Sequence, residues 1–187
     1  TFKITSNLNS IDITLNMLGQ HNALNAAAAI VLCLLENIPV KVIKESLEGF
    51  MGIDRRMQIL GVQVNEKSSK VYIDDYGHHP TEIQKTIEAI KNSYPDHNLT
   101  MVFQPHRYTR TKDLFSEFIQ VLKGVDNLIL LDVYPAGEKP IKGIDSLNIK
   151  RSLEDSGFLN IELVEDKDLV LKRITDSPDI NTVFIFQ

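Results

Sequence analysis

The chain has 187 residues, 43% of them hydrophobic and 24% charged, which suits one full domain with an appendage or two small domains. Its 20 basic and 25 acidic residues leave a net charge of −5, which excludes a nucleic acid or an anionic membrane surface held by bulk charge. The single cysteine, Cys33, cannot form an internal disulfide and reads as a small buried hydrophobe in a reducing, cytoplasmic setting.

The opening string TFKITS has no methionine and no signal-peptide layout; it reads as strand sequence cut from a longer protein. Ile11, Ile13, Leu15 and Met17 alternate with polar residues, the pattern of a half-buried strand, and Gly19 ends it. Residues 23–35 are alanine-rich with little polar surface, predicting a largely buried helix. Pro39 marks a boundary, after which Val40, Ile43, Leu47 and Phe50 recur at helical spacing. Residues 51–56 combine turn chemistry at Gly52 with Asp54, Arg55 and Arg56, so the domain junction is placed there, dividing residues 1–51 from 52–187. A hairpin is expected next, from residues 57–66 and 71–74 around a polar turn. Helical patterns near residues 83–94, 114–122, 149–156 and 167–174 then alternate with strands at 99–103, 127–133, 160–164 and 182–186. That alternation predicts an α/β fold: a mostly parallel sheet with helices on both faces. No apolar stretch approaches the roughly 20 residues that span a bilayer, so no membrane insertion is expected.

Ligands of such sheets bind beyond the carboxyl ends of the strands. Three chemically dense loops fall there, at residues 74–80, 104–111 and 134–143. The first, DDYGHHP, packs Asp74, Asp75, His78 and His79 together. Three readings are open: a metal site, a carboxylate for a nucleotide ribose, or His79 fixing the helix after Pro80 with the aspartates solvated. The last is favoured by spacing alone. In the second loop, Arg107 and Arg110 stand three apart just before a helix. Paired guanidiniums and helix amides suit an anion, and this is favoured over salt bridges to acids such as Glu117. His21, Asn22 and Asn25 stand at the entry to the alanine-rich helix. Asparagine amides can pair with an adenine edge, but helix capping by Asn22 is the simpler reading of composition. Residues 132–138 form an acidic turn that says little by itself. No G-x-x-x-x-G-K-[ST] string is present, hence no phosphate-cradling P-loop.

Five strings in order, GQHNALNAAAA from Gly19, GIDRRMQ from Gly52, DDYGHHPTEI from Asp74, QPHRYTRT from Gln104 and DVYPAGE from Asp132, resemble the Mur ligases, the ATP-dependent ligases of peptidoglycan precursor synthesis. The middle strings look like the branch that adds L-alanine. The resemblance covers the chain from about Gly19 to Asp145. It implies that residues 1–51 are the tail of the central ATP-binding domain. Residues 52–187 would then be the carboxy-terminal Rossmann-like ligase domain, stopping before its last turn. It further implies a reaction in which the lactyl carboxylate of UDP-N-acetylmuramate is phosphorylated by ATP and the acyl phosphate is attacked by L-alanine, with Mg2+ held mostly by residues outside this chain. His21, Asn22 and Asn25 would lie on the adenine side, Arg56 on a phosphate and Asp75 on the ribose. His78, Arg107 and Arg110 would hold the amino acid and the incoming intermediate. A piece without the P-loop is expected to be inactive by itself. Three other readings stand beside this one: a murein-peptide-recycling ligase, a folate polyglutamate ligase, and a non-catalytic module that binds a nucleotide or anion.

Overall fold

The computed structural model describes residues 1–5, 10–178 and 180–187; Ser6, the end of the opening string, lies outside them. Strands β1 (Phe2–Thr5) and β2 (Ser10–Ile13) form an antiparallel pair, followed by helices α1 (Gln20–Leu35) and α2 (Val40–Glu48). Their shared core is small: Ile11, Ile13, Ile30 and Ile43, with Leu15 and Leu47 packed against it.

Two expectations for this region need correction. The second strand stops at Ile13, four residues short of Met17. Asn16 instead donates its side-chain amide to the Glu48 carbonyl at the end of α2, at 2.8 Å. More tellingly, α1 is not largely buried. Asn22, Ala26 and Ile30 are buried, while Leu24, Leu32 and Leu35 are 65%, 65% and 71% exposed. An all-round apolar helix can bury only the stripe that meets a partner, and here the partners lie on one side.

A six-stranded sheet follows, in the order β3-β4-β8-β5-β6-β7, where β3 is Gln58–Val64, β4 Ser69–Asp74, β5 Asn98–Phe103, β6 Asn127–Leu131, β7 Ile161–Val164 and β8 Thr182–Phe186. Only the β3–β4 hairpin is antiparallel; every other neighbouring pair is parallel. Side chains alternate between faces, as a strand requires. Leu99, Met101 and Phe103 of β5 face a large core under α3 (Pro80–Ser93), α5 (Phe115–Leu122) and α6 (Ser146–Asp155). Val102 faces a smaller core under α7 (Lys167–Thr175). Three helices cover one face and one covers the other, so the α/β layering expected from the sequence is found. The last strand enters the sheet between β4 and β5, which places the ends of β4, β8 and β5 side by side.

The loop expected across residues 104–111 is partly helical. A short helix, α4 (Tyr108–Asp113), begins inside it, so Arg107 sits at the helix cap and Arg110 within the helix.

Candidate functional site

A cavity of about 640 Å³ opens where the small amino-terminal core meets the sheet. His21, Asn22 and Asn25 of α1, Arg56 of the junction and Asp75 after β4 all line it, with Glu82, Lys85 and Thr86 of α3 opposite. Every residue assigned to the nucleotide side therefore reaches one space, although the sequence separates them by up to 54 positions. Asn22 and Asn25, three apart, share a face of α1. Asn22 does not cap the helix: Gly19 occupies that position with φ at 93°, and the Asn22 amide donates to the Leu18 carbonyl at 2.7 Å. That uses one of its two N–H donors, leaving the other and the side-chain oxygen on offer.

The wall behind this cavity is held by Asp75, which is 5% exposed rather than solvated. Its Oδ1 accepts from the Met57 amide at 3.2 Å, and its Oδ2 accepts from Thr86 Oγ1 at 2.6 Å and Gln187 Nε2 at 2.9 Å. A carboxylate has about four acceptor positions, so roughly one is left for a ligand such as a ribose. Asp75 thus ties three elements together: the start of β3, helix α3 and the end of β8. A Cβ on Gly77 would come within 2.7 Å of Gln187 Nε2 and 3.0 Å of Asp75 Oδ2, so a larger residue there would push Gln187 away from Asp75. Arg56 stands 3.7 Å from Glu82, between Arg55 and Met57, whose φ values of 59° and 51° mark a strained, left-handed kink.

The two histidines of this loop serve different ends. His79 caps α3 by accepting from the Thr81 amide at 3.2 Å, as spacing suggested. Glu82 completes the capping box by accepting from the amides of His78 and His79 at 3.0 and 3.1 Å. Burial pushes the Glu82 carboxyl up. The two backbone bonds, helped by the charges of His78 and Arg56, outweigh this and hold it below its ordinary value. Among the described residues no three His, Cys, Asp or Glu side chains gather to hold a metal ion. They therefore offer no cage to the Mg2+ that the resemblance implies.

Asp75 is also part of a second cavity, of about 580 Å³, at the carboxyl ends of β4, β8 and β5. His78, Tyr76, Gln104, His106, Tyr134 and Gln187 contribute to its lining. The ring of His106 stacks on Tyr134 at 5.4 Å between centroids and lies 6.3 Å from that of His78. Arg110 turns back to donate to His106 Nδ1 at 3.2 Å. Burial, then the positive charges of Arg110, Arg107 and His78, push the His106 ring below its ordinary range, with Glu138 opposing.

The anion expected at the start of α4 is supplied by the chain itself. Glu138 accepts from the Thr109 amide at 2.9 Å and from its hydroxyl at 2.7 Å. These two bonds hold the Glu138 carboxyl below its ordinary value against desolvation, with Arg107 adding to the lowering. So helix amides and guanidiniums do not converge on one free space. Neither arginine pairs with Glu117 among the described residues. Arg107 is exposed, with φ at 73°, a costly conformation for a residue with a side chain. It is pinned by its amide to the Tyr134 carbonyl at 2.9 Å and by its carbonyl to Thr111 Oγ1 at 2.8 Å. Sequence reasoning counted His106 only as support for an anion-binding loop and passed over the roles of Tyr134, Glu138 and Gln187. His106, Tyr134 and Glu138 stood inside strings already singled out, but nothing local marked them as partners.

Residues 55–185, seven-tenths of the chain and including both strand-end loops, match the family described as Mur ligase, glutamate ligase domain. The chain belongs to the Mur ligase family. Among solved structures it is similar to a UDP-N-acetylmuramate-alanine ligase from Thermotoga maritima, at 27% identity and a TM-score of 0.73, over 94% of this chain and 36% of that one. A murein peptide ligase from Psychrobacter arcticus matches at 22% identity and a TM-score of 0.59, over 100% of this chain and 38% of that one. A folylpolyglutamate synthase from Thermotoga maritima matches at 21% identity and 0.62, over 96% and 39%. The last two show the shared fold alone. This Mur ligase chain spans a little over a third of the length of each of these relatives.

Proposed function

We propose that this chain is the carboxy-terminal part of an ATP-dependent ligase that joins L-alanine to the lactyl carboxylate of UDP-N-acetylmuramate. The observation that carries the reading is the meeting of His21, Asn22, Asn25, Arg56 and Asp75 in one cavity, back to back with a second that holds His78. A nucleotide fits the first. Asn22 and Asn25 face its base, Asp75 has one acceptor position left for a ribose hydroxyl, and Arg56 lies toward the phosphates. The second then receives the amino acid. Placing the two cavities on either side of Asp75 lets an acyl phosphate made beside one be attacked from the other. The likeness to the alanine-adding ligase, at 27% identity, favours L-alanine over other acceptors.

The residues here bind, orient and screen charge. Arg110, which donates to His106 on the wall of the second cavity, and Arg107 at the cap of the same helix bring positive charge near that cavity, which favours the anionic acyl phosphate and its collapse. The test uses the full-length protein that contains this sequence, assayed for phosphate release with ATP and UDP-N-acetylmuramate. Turnover that depends on L-alanine supports the reading. Turnover only with a preformed muropeptide, or only with a folate and L-glutamate, overturns it.

A further inference from the structure

The first cavity contains one contact that works against the nucleotide proposed for it. Asp75 and Glu82 are the acids on its wall, and Arg56 and Lys85 the cations. Asp75 is engaged by Met57, Thr86 and Gln187, and Lys85 donates to Glu88 at 2.8 Å. That leaves Arg56 and Glu82 to face each other, with 3.7 Å between Arg56 Nη1 and Glu82 Oε1. A bound phosphate and Glu82 therefore compete for one guanidinium. The ion pair is long and both side chains reach solvent, so a phosphate, which can take a guanidinium by two parallel bonds, displaces Glu82 at small cost.

Glu82 has other partners on its far side. Its Oε2 accepts from the amides of His78 and His79 and lies 3.9 Å from His78 Nδ1, which is itself 2.9 Å from the Tyr76 carbonyl. The residues flanking Arg56 are fastened to the same loop. The Arg55 carbonyl accepts from the Tyr76 amide at 2.7 Å, its guanidinium stands 3.5 Å from Asp74 and 4.6 Å from the Tyr76 ring centre, and the Met57 amide reaches Asp75. With the backbone held on both sides, the Arg56 side chain can change partner without the segment moving. We propose that Glu82 is a positioning residue that exchanges partners: it holds Arg56 before a nucleotide binds, yields it to the phosphates, and then turns its whole charge on His78. This rests on the nucleotide reading of the first cavity and adds a residue that touches neither base nor acceptor. An undivided carboxylate charge beside Nδ1 favours a proton on that nitrogen, where the Tyr76 carbonyl also accepts it. Filling the first cavity thus steadies a ring on the wall of the second through Arg56, Glu82 and His78, with no shift of the sheet.

Glu82→Gln keeps an oxygen for the two amides of the cap and removes the charge. In the full-length protein that contains this sequence, calorimetry with AMP-PNP and Mg2+, and with no acceptor present, should show binding about threefold tighter, the worth of one exposed ion pair. The same substitution made in Arg56→Ala protein should change nothing. An unchanged affinity in the single variant would make Glu82 a capping residue and overturn the proposal. Tightening that persists without Arg56 would mean that Glu82 only repels the phosphates, and would overturn it as well. His78 gives the second readout: its ring 15N signals should shift when AMP-PNP is added to the unaltered protein and stay in place in Glu82→Gln. Equal shifts in both refute the link to His78. A full-length protein that does not bind AMP-PNP refutes the nucleotide reading and the exchange together, whereas a ligase that proves to take another acceptor leaves every one of these outcomes decisive for Glu82.

Discussion

The first cavity takes its walls from two separately packed cores, with α1 on one side and α3 on the other, whereas the second is built from the ends of adjacent strands in one sheet. The shape of the first therefore depends on the kinked segment around Gly52, Arg55 and Met57, where φ is positive at all three residues. The shape of the second is set by sheet register and by the bridge between His106 and Tyr134. On the proposed reading, the first cavity admits a nucleotide and then closes, and a wall that can move serves it. A site that must hold an attacking amine in line benefits from one that cannot. Asp75 is where the two designs meet, since it anchors the junction through Met57 and the sheet through Gln187.

The largest effect should come from breaking that shared anchor. Asp75→Ala leaves the Met57 amide, the Thr86 hydroxyl and the Gln187 amide without their acceptor, costing about 3 kcal/mol or more. Urea unfolding measures this, and the spectra of His21 and His78, one per cavity, should both change. A change in only one would show that the cavities are independent.

Next in size, Arg110→Ala removes the donor that holds His106 and a positive charge beside the second cavity. In the full-length ligase kcat/KM should fall by about 2–3 kcal/mol of transition-state stabilisation. The melting temperature should move little, since a partly exposed surface charge contributes within about 0.5 kcal/mol. An unfolded variant whose folded remainder is fully active would assign Arg110 to the fold instead.

Arg107→Gly separates strain from function at the neighbouring cap. Glycine accepts a φ of 73° without steric penalty, so the folded chain should gain up to about 1 kcal/mol, reduced by the greater freedom of glycine when unfolded. Activity should fall, because the charge is gone. Gain in stability together with unchanged activity would remove Arg107 from the site.

The smallest effect concerns Glu82, which links His78 to Arg56 across the two cavities. Its carboxyl is held below 4.5 in the folded chain, so its contribution is present above about pH 4.5 and is lost as pH falls through the lower folded value. Glu82→Gln should remove that part of the acid unfolding curve, read by circular dichroism. An unchanged acid limb would mean that the capping box and the ion pair matter little to the fold.

The sequence by itself determined the elements and their layers. Short apolar runs became β4, β5, β6 and β8, helical periods became α3, α5, α6 and α7, and the order of strand and helix dictated a parallel sheet. Such patterns are legible because burying one face of an element depends only on spacing along it. The capping role of His79 was legible for the same reason, since all its partners lie within three residues. What tertiary structure decided was everything that depends on which strand ends lie together. Strand β8 inserts between β4 and β5, which brings Gln187 to Asp75 across 112 positions and turns an aspartate expected in solvent into a buried anchor. Glu138 accepts from the Thr109 amide of α4 across 29 positions, and Arg110 turns back to His106 from a helix that begins six residues before the one periodicity placed near residue 114. Even the apolar run of α1 misled in this way: hydrophobicity states a capacity for burial, and only the packing of neighbours decides how much of it is used.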